Sequence, residues 1–591
     1  MKQFFKFFFA SMLGFIVGSF VLVFLLAAIF AGIAATFSKP EEARVKDNSV
    51  LRLDLSYEMP EKTDDNPFRD FSFTDFQLNT KLGLNDVLAN IKKAKDDDRI
   101  KGIFLDFGSF PNGAGTAEQI RAALEDFKSG GKWVVAYSDL MTQKAYYVAS
   151  VADKIYVNPK GLVEFRGLNA QIMFFKNMLD KIGVEPQVFY VGKFKTATEP
   201  FRYDKMSEPN RAMTLDLISN IQNHYVQQIA ASRKLDVAMV DSIADNLLVK
   251  FPSDAVRHKL IDAAYYRDQV IDDMKGRIAI KSDEDLEFIT LGKFNDVAAK
   301  NKPSLKEPKI AILYAAGDIV DGKGDDGEIG SITLAKHLEK LRDDEKVKAV
   351  VFRVNSGGGS ALASDVIWRA VGRVKEKKPI VVTMGDYAAS GGYYISANAS
   401  SIVALPNTLT GSIGVFGILP NAQKLMNEKL GITFDNVKTG KHSDLGSLVR
   451  PVSSEEALII QSGVDSVYTD FISVVSRGRN IALNMVDSIA QGRVWTGAQA
   501  LQLGLVDTLG DLNTAIGIAA RLAKLDSYRT AVYPEPDEDD WKQMIKAFKD
   551  NEEDEAVRAH LGILYPYFQQ LKTLTTVKGV QMRMPYSVLI D

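Results

Sequence analysis

The chain has 591 residues, 46% of them hydrophobic, enough for more than one full core. Its net charge of −3 gives no electrostatic case for a nucleic-acid partner. With 0 cysteines, 5 scattered histidines and no HExxH, it offers no disulfide, no iron–sulfur cluster and no Cys-ligated zinc, and neither a bound metal nor another cofactor is expected.

Lys2 and Lys6 precede an uncharged stretch from Phe7 to Ser38. That is longer than the roughly 20 residues that span a bilayer. It also exceeds the roughly 7–15 residue apolar core of a cleaved signal peptide. A long signal peptide cut near Ala34–Ala35 is the alternative; residues 1–40 are read as a cytoplasmic stub and a transmembrane signal anchor. The flanking lysines favour a cytoplasmic N-terminus with the bulk of the chain outside, although Lys39, Arg44 and Lys46 dilute the bias.

Beyond the anchor, short β-branched runs alternate with amphipathic helices. KGIFLDF from Lys101 and KAVVFRV from Lys348 read as buried parallel strands. GSALASDVIWRAVGRVKEK from Gly359 is the helix after such a strand, KPIVVTM the next strand, and Ala388–Ala397 begins the next helix. Strand, glycine turn and helix in repetition predict an α/β architecture with function at the C-terminal ends of the strands. The segment from Glu535 to Lys549 is acidic with an amphipathic helix and reads as a solvated surface.

The chain also repeats itself. DDDRIKGIFLDFGSFPNG from Asp96 matches DDEKVKAVVFRVNSGGGS from Asp343, which sets Gly357–Gly358–Gly359 opposite Phe110–Pro111–Asn112. Val134–Pro159 matches Val381–Pro406, with Asp139 opposite Asp386 and Gln143 opposite Ser390. KIGVEPQVFYVGKFKT matches KLGITFDNVKTGKHSD, so Lys195 falls opposite Ser443. A period of about 250 residues is too long for a solenoid and marks a duplicated domain. The predicted boundaries are 41–300 for the first copy, 301–535 for the second and 536–591 for an acidic helical extension.

The two copies have lost complementary parts. The second keeps a serine on a glycine-flanked turn, AASGG, a candidate nucleophile. Acyl transfer also needs N–H donors for the oxyanion, which Gly391 and the Asn355–Ser360 loop could supply. The loop is no P-loop, since GxxxxGK[ST] is absent. Taken singly, GGG reads as an ordinary turn and AASGG as a small-residue helix cap; their joint loss from the sister copy favours chemistry. A serine needs a base, and two residues compete. His442 follows Ser390 and is near Asp444; Lys195, in the first copy, would serve if its amine were neutral.

VGKFKTATEPF, NSGGGSA, MGDYAASGGYYIS, TGSIGVFG and GRVWTGAQALQLGLVD together resemble the signal peptide peptidase A (protease IV) family in its long, duplicated form, over the whole chain after the anchor. The resemblance implies tandem Clp-protease/crotonase-like domains and a Ser/Lys dyad. It makes Ser390 the nucleophile, Lys195 the general base and Ser412 a neighbour that orients the lysine amine. It places oxyanion donors at Gly359 and Gly391, with the register among Gly357–Gly359 open, and gives His442 no role. One departure is Gly357, where the family usually has proline. The resemblance further implies a homotetramer in the cell inner membrane, facing the periplasm, that hydrolyses remnant signal peptides and other apolar peptides. Two readings compete with it. A crotonase-type acyl-CoA enzyme would share the fold but usually employs carboxylates and needs no anchor. An inactive scaffold binding envelope peptides would not need Ser390, Lys195 and Gly391 intact.

Overall fold

The structure is a computed structural model that describes residues 2–37, 44–63 and 81–534, apart from 282, 299–303 and 305. It also describes 71–72, 77–78, 579–584, 589–590 and single positions between 561 and 568. Glu535–Lys549, read above as an acidic surface helix, lies outside the described residues.

Both copies build the same sheet. In the first, the order across is Phe288–Thr290, Ser49–Leu53, Ile100–Asp106, Trp133–Met141, Lys154–Val163 and Ala263–Ala264, all parallel. In the second, Arg529–Tyr533, Lys309–Ala316, Val347–Ser356, Ile380–Ala389, Ser401–Ala404 and Thr508–Leu509 repeat that parallel order, and two more strands extend it: Leu409–Gly411 pairs with the end of Ile380–Ala389, and Val494–Thr496 runs antiparallel to Leu409–Gly411. The duplication read from the sequence is therefore a duplication of topology. Strands such as Ile100–Asp106 and Val347–Ser356 are buried along almost their whole length, which is why they read as unbroken apolar runs rather than alternating ones.

Helices cover both faces. Ala361–Lys375 turns Ala363, Ile367, Ala370, Val371 and Val374 inward, a helical stripe, and Ser360 caps it by accepting the Ala363 N–H. Leu512–Leu522 closes the other face through Ala515, Ile516 and Ala519. Arg267–Arg277 does the same in the first copy through Val270 and Met274.

Strand Ile380–Ala389 runs further than KPIVVTM predicted. Ala388 and Ala389, expected to begin a helix, are strand residues paired with Thr410 and Gly411, and the helix is confined to Gly391–Ser396. Tyr387 N–H donates to Asn355 Oδ1 and so ties the extension to the adjacent strand.

A further sheet joins the copies. Its order is Glu328–Gly330, Asp318–Val320, Gly358–Ser360, Val580–Arg583, Val415–Asn421 and Glu185–Val191. The last two strands belong to different copies and pair antiparallel from Val415–Val191 to Asn421–Glu185. The segment of the second copy that matches Glu185–Lys195 makes no such strand. Residues 431–438 are exposed coil followed by turns.

Lys2–Phe37 is one helix of 36 residues, about 54 Å at 1.5 Å per residue, with Lys2 and Lys6 its only charged residues. Among the described residues, Ser454–Arg479 is the helix long and apolar enough to cross a membrane. It instead packs Val464, Tyr468, Phe471 and Val475 into the second core.

Candidate active site

Ser390 follows the last residue of strand Ile380–Ala389 and precedes helix Gly391–Ser396, with φ 55° and ψ −114°. Such a backbone is unfavourable for a residue with a Cβ and persists only where its surroundings impose it. Here Ser390 N–H donates to Gly411 O at 2.8 Å, and Tyr394 N–H donates to Ser390 O at 2.9 Å. The glycines of AASGG answer to close packing: a Cβ on Gly392 would lie 2.5 Å from Ser356 O, and one on Gly391 would lie 2.7 Å from Ser364 Oγ.

Lys195 comes from the other copy, in the loop after strand Glu185–Val191. It is 1% exposed, and its Nζ lies 2.8 Å from Ser390 Oγ. The amine also lies 3.1 Å from both Ser412 Oγ and Ser412 O. Burial alone drives its pKa well below the ordinary lysine value, because a charged amine there is stripped of water. The loop is held by Phe194 N–H donating to Gln491 O at 2.7 Å. Ser412, at φ 49°, is held by donating its N–H to Arg493 O. Three residues singled out from the sequence thus converge on one buried point.

Two further glycines shape the lysine's channel. A Cβ on Gly414 would sit 3.1 Å from Lys195 Cδ, and one on Gly492, at φ +78°, would sit 2.5 Å from Lys195 N. Sequence reasoning assigned neither a role, although both stand inside quoted motifs, TGSIGVFG and GRVWTG.

The glycine loop flanks the serine. Gly358, at φ +102°, abuts Gly391: a Cβ there would lie 2.7 Å from Gly391 N. Gly358 N–H already donates to Ser356 Oγ at 3.1 Å. Gly359 pairs with Ile319 on one side and Met582 on the other.

The corresponding place in the first copy is filled. Gln143 is buried and its Oε1 accepts from the N–H groups of Arg166 and Gly167, each at 2.9 Å. Its Nε2 donates to Gln222. Asn112 and Phe110, opposite the glycine triplet, are buried, and Asn112 bonds the backbone of Tyr57 and Met59. His442 is not at the site; its ring nitrogens lie 3.5 Å from Glu455 and Glu456.

Sequence reasoning also missed the contacts that set the strand before Ser390. Asp386 accepts from Thr116 N–H and Oγ–H, both at 2.7 Å, across the junction between copies. A Cβ on Gly113 would lie 2.3 Å from the Asp386 carboxylate carbon, so only glycine permits that approach. Burial pushes the Asp386 carboxyl up, and the Thr116 bonds oppose it. Beside it, Arg353 and Glu61 form a buried two-bond ion pair at 2.9 and 3.1 Å.

Residues 126–281 and 372–526 each match peptidase family S49, one match within each copy. Protease 4 of Haemophilus influenzae is 36% identical over 75% of this chain and 73% of its own length. Protease 4 of Salmonella typhi is 36% identical over 76% of this chain and 74% of its own. The chloroplastic serine protease SPPA of Arabidopsis thaliana is 32% identical over 82% and 70%. A solved ClpP1 mutant from Listeria monocytogenes aligns with 35% of this chain at 15% identity and a TM-score of 0.24, too low to bear on the fold. The resemblance read from the motifs therefore stands, and with matches in both copies and relatives aligned over most of both lengths, the chain belongs to peptidase family S49 and is a serine peptidase.

Proposed function

We propose that the protein is a membrane-anchored endopeptidase that cuts apolar, extended peptides with a Ser390–Lys195 dyad assembled from both copies, each a Clp-protease/crotonase-like unit. The observation that carries this reading is the contact of 2.8 Å between Ser390 Oγ and the fully buried Lys195 amine. A lysine is a base only when neutral, and this burial favours the neutral form.

Ser390 Oγ attacks the peptide carbonyl carbon while its proton passes to Lys195 Nζ. Gly391 N–H and an N–H of the glycine loop stabilise the oxyanion; Gly359 is the choice in the loop, since the Gly358 amide is engaged by Ser356. The lysine then protonates the leaving amine; a water that gives its proton to the same lysine amine opens the acyl-enzyme, and the lysine returns that proton to the departing Ser390 Oγ. Ser412 orients the amine by holding it at two oxygens. Helix Lys2–Phe37 is the anchor, and its apolar length supports that assignment. Remnant signal peptides are substrates of matching chemistry, and a periplasm-facing homotetramer completes the reading.

A fluorophosphonate probe tests the core of it. Labelling of Ser390 in the wild type and its loss in Lys195→Met is the expected result. Labelling of another serine, or none at all, would remove the dyad. Light scattering in detergent tests the tetramer.

A further inference from the structure

The lysine loop and the Ser412 turn are both bonded to one tripeptide of the second copy, Gln491–Gly492–Arg493. We infer that Gln491 is a positioning residue of the reaction: its side-chain amide, turned one way by Asp487 and Tyr468, holds the lysine loop so that the Lys195 amine meets Ser390. This rests on the assignment of Ser390 and Lys195 as nucleophile and base.

Gln491 O accepts the Phe194 N–H at 2.7 Å, Gly492 N–H donates to Ile413 O at 2.8 Å, and Arg493 O accepts the Ser412 N–H at 2.7 Å. The backbone passes so close to Gly192, at φ +109°, that a Cβ there would lie 2.6 Å from Gln491 C. Gln491 itself has φ 52°, a conformation that a residue with a Cβ seldom adopts. Its side chain adds direction to this clasp. Oε1 accepts the Lys193 N–H at 3.3 Å. Nε2 donates to Asp487 Oδ1 at 2.8 Å and to Tyr468 Oη at 3.2 Å, and the Tyr468 hydroxyl donates to the same carboxylate oxygen at 2.6 Å. A carboxylate only accepts, so Asp487 fixes the amide with its nitrogen toward helix Leu483–Ile489 and its oxygen toward the lysine loop.

The duplication separates this role from a need of the fold. MVDSIA occurs in both copies, at 239–244 and 485–490, so Asp487 has a counterpart in Asp241. The next residue differs: Gln491 in the second copy, Asp245 in the first, exposed and with no proton to give a carboxylate. The helices before these segments, Glu208–Arg233 and Ser454–Arg479, have 26 residues each and end on a left-handed residue, Lys234 and Asn480. That register puts Gln222 opposite Tyr468. The amide and the phenol around the carboxylate thus stand only in the copy against which the lysine loop packs. The groups that face Lys195 Nζ directly are the oxygens of Ser390 and Ser412. Asp487 and Tyr468 stand behind Gln491, and Arg493, paired with Asp216, lies over the Phe194 ring at 5.2 Å. None of these charges sets the lysine's pKa, which burial alone lowers. A loop that shifts lets water reach the amine, and the pKa rises toward its ordinary value.

The test uses the full chain in detergent and one short fluorogenic peptide. Gln491→Met keeps the length of the side chain and removes its hydrogen bonds. It should lower kcat about tenfold or more with KM within about twofold, the pattern of an interaction felt at the transition state. It should also move the inflection of kcat/KM against pH to higher pH and speed hydrogen exchange of the Lys193 amide. Asp487→Ala, at a half-buried helix position, frees the amide to turn and should act in the same direction in smaller measure. Gln491→Glu joined to Asp487→Asn exchanges donor and acceptor and should return kcat to within about threefold of wild type, which Gln491→Glu alone does not. Wild-type kcat in folded Gln491→Met or Asp487→Ala would overturn the proposal. So would a lower kcat with an unmoved inflection, which loss of folded protein alone gives, or an exchanged pair no faster than Gln491→Glu. If Gln491→Met does not fold, Asp487→Ala and the exchanged pair carry the same decision. If Ser390→Ala stays active, the dyad falls instead, and exchange of the Lys193 amide alone decides whether Gln491 holds the loop.

Discussion

Lys195 and Ser390 each sit where a residue of their kind is disfavoured, one by burial of an amine and one by a positive φ. Function at such places is bought with stability. Lys195→Met keeps the length of the side chain and removes the amine proposed as base. It should lower kcat/KM by roughly 10²–10⁴-fold and raise the melting temperature at neutral pH. The sign follows from linkage. The folded pKa lies below the unfolded value of 10.5, so between the two the unfolded chain binds the extra proton. Wild-type stability should therefore climb as pH rises through that window, and the variant should lack the slope. The wild-type rate should also rise with pH as Lys195 loses its proton, then level off. His442→Ala should leave kcat/KM unchanged, since the ring faces Glu455 and Glu456. Kinetics of both variants on one peptide check the rates, and thermal melts across the pH range check the stability.

At the scale of elements, the site depends on backbone that passes too close for side chains. Gly492→Ala would add a Cβ 2.5 Å from Lys195 N at a φ of +78°. Strain of roughly 1–3 kcal/mol would be relieved by moving the lysine loop. The expected result is a fall of about tenfold or more in kcat/KM with a smaller change in melting temperature. Steady-state kinetics beside a thermal melt separates the two. The loop also hangs from the antiparallel pairing of Glu185–Val191 with Val415–Asn421, so the amine cannot be delivered without the neighbouring copy.

At the scale of the whole molecule, the copies are joined by polar contacts as well as by strands. Arg353 of the second copy is paired with Glu61 of the first, both buried. Breaking a buried pair on one side costs about 3–5 kcal/mol. Glu61→Gln should therefore destabilise the chain by that order, measured by denaturant unfolding, and should weaken activity because Met384 O, bonded by Arg353, lies on the serine strand. The helix Lys2–Phe37 contributes no residue to the site described. Deleting residues 1–40 should give a protein that remains folded, needs no detergent and cleaves short peptides at the full-length rate. A folded but inactive truncation would make the helix more than a tether.

The sequence by itself determined the duplication and the buried parallel strands, and it singled out Ser390. Each of these is local or self-referential: apolar runs, glycine turns and two copies that could be laid against each other. It also placed AASGG on a turn, because glycines signal backbone that no side chain permits. Residue by residue it left His442 and Lys195 in competition, since proximity along the chain favoured the histidine, and only the family resemblance chose the lysine. Only tertiary structure placed the lysine 2.8 Å from the serine across the junction of the copies. The same holds for Glu61 with Arg353, Thr116 with Asp386, and Gly414 and Gly492 against the lysine. Nor could periodicity foresee Val580–Arg583 beside the glycine loop, because four residues carry no pattern of their own. Their place is set by two open strand edges contributed by segments far away in the chain.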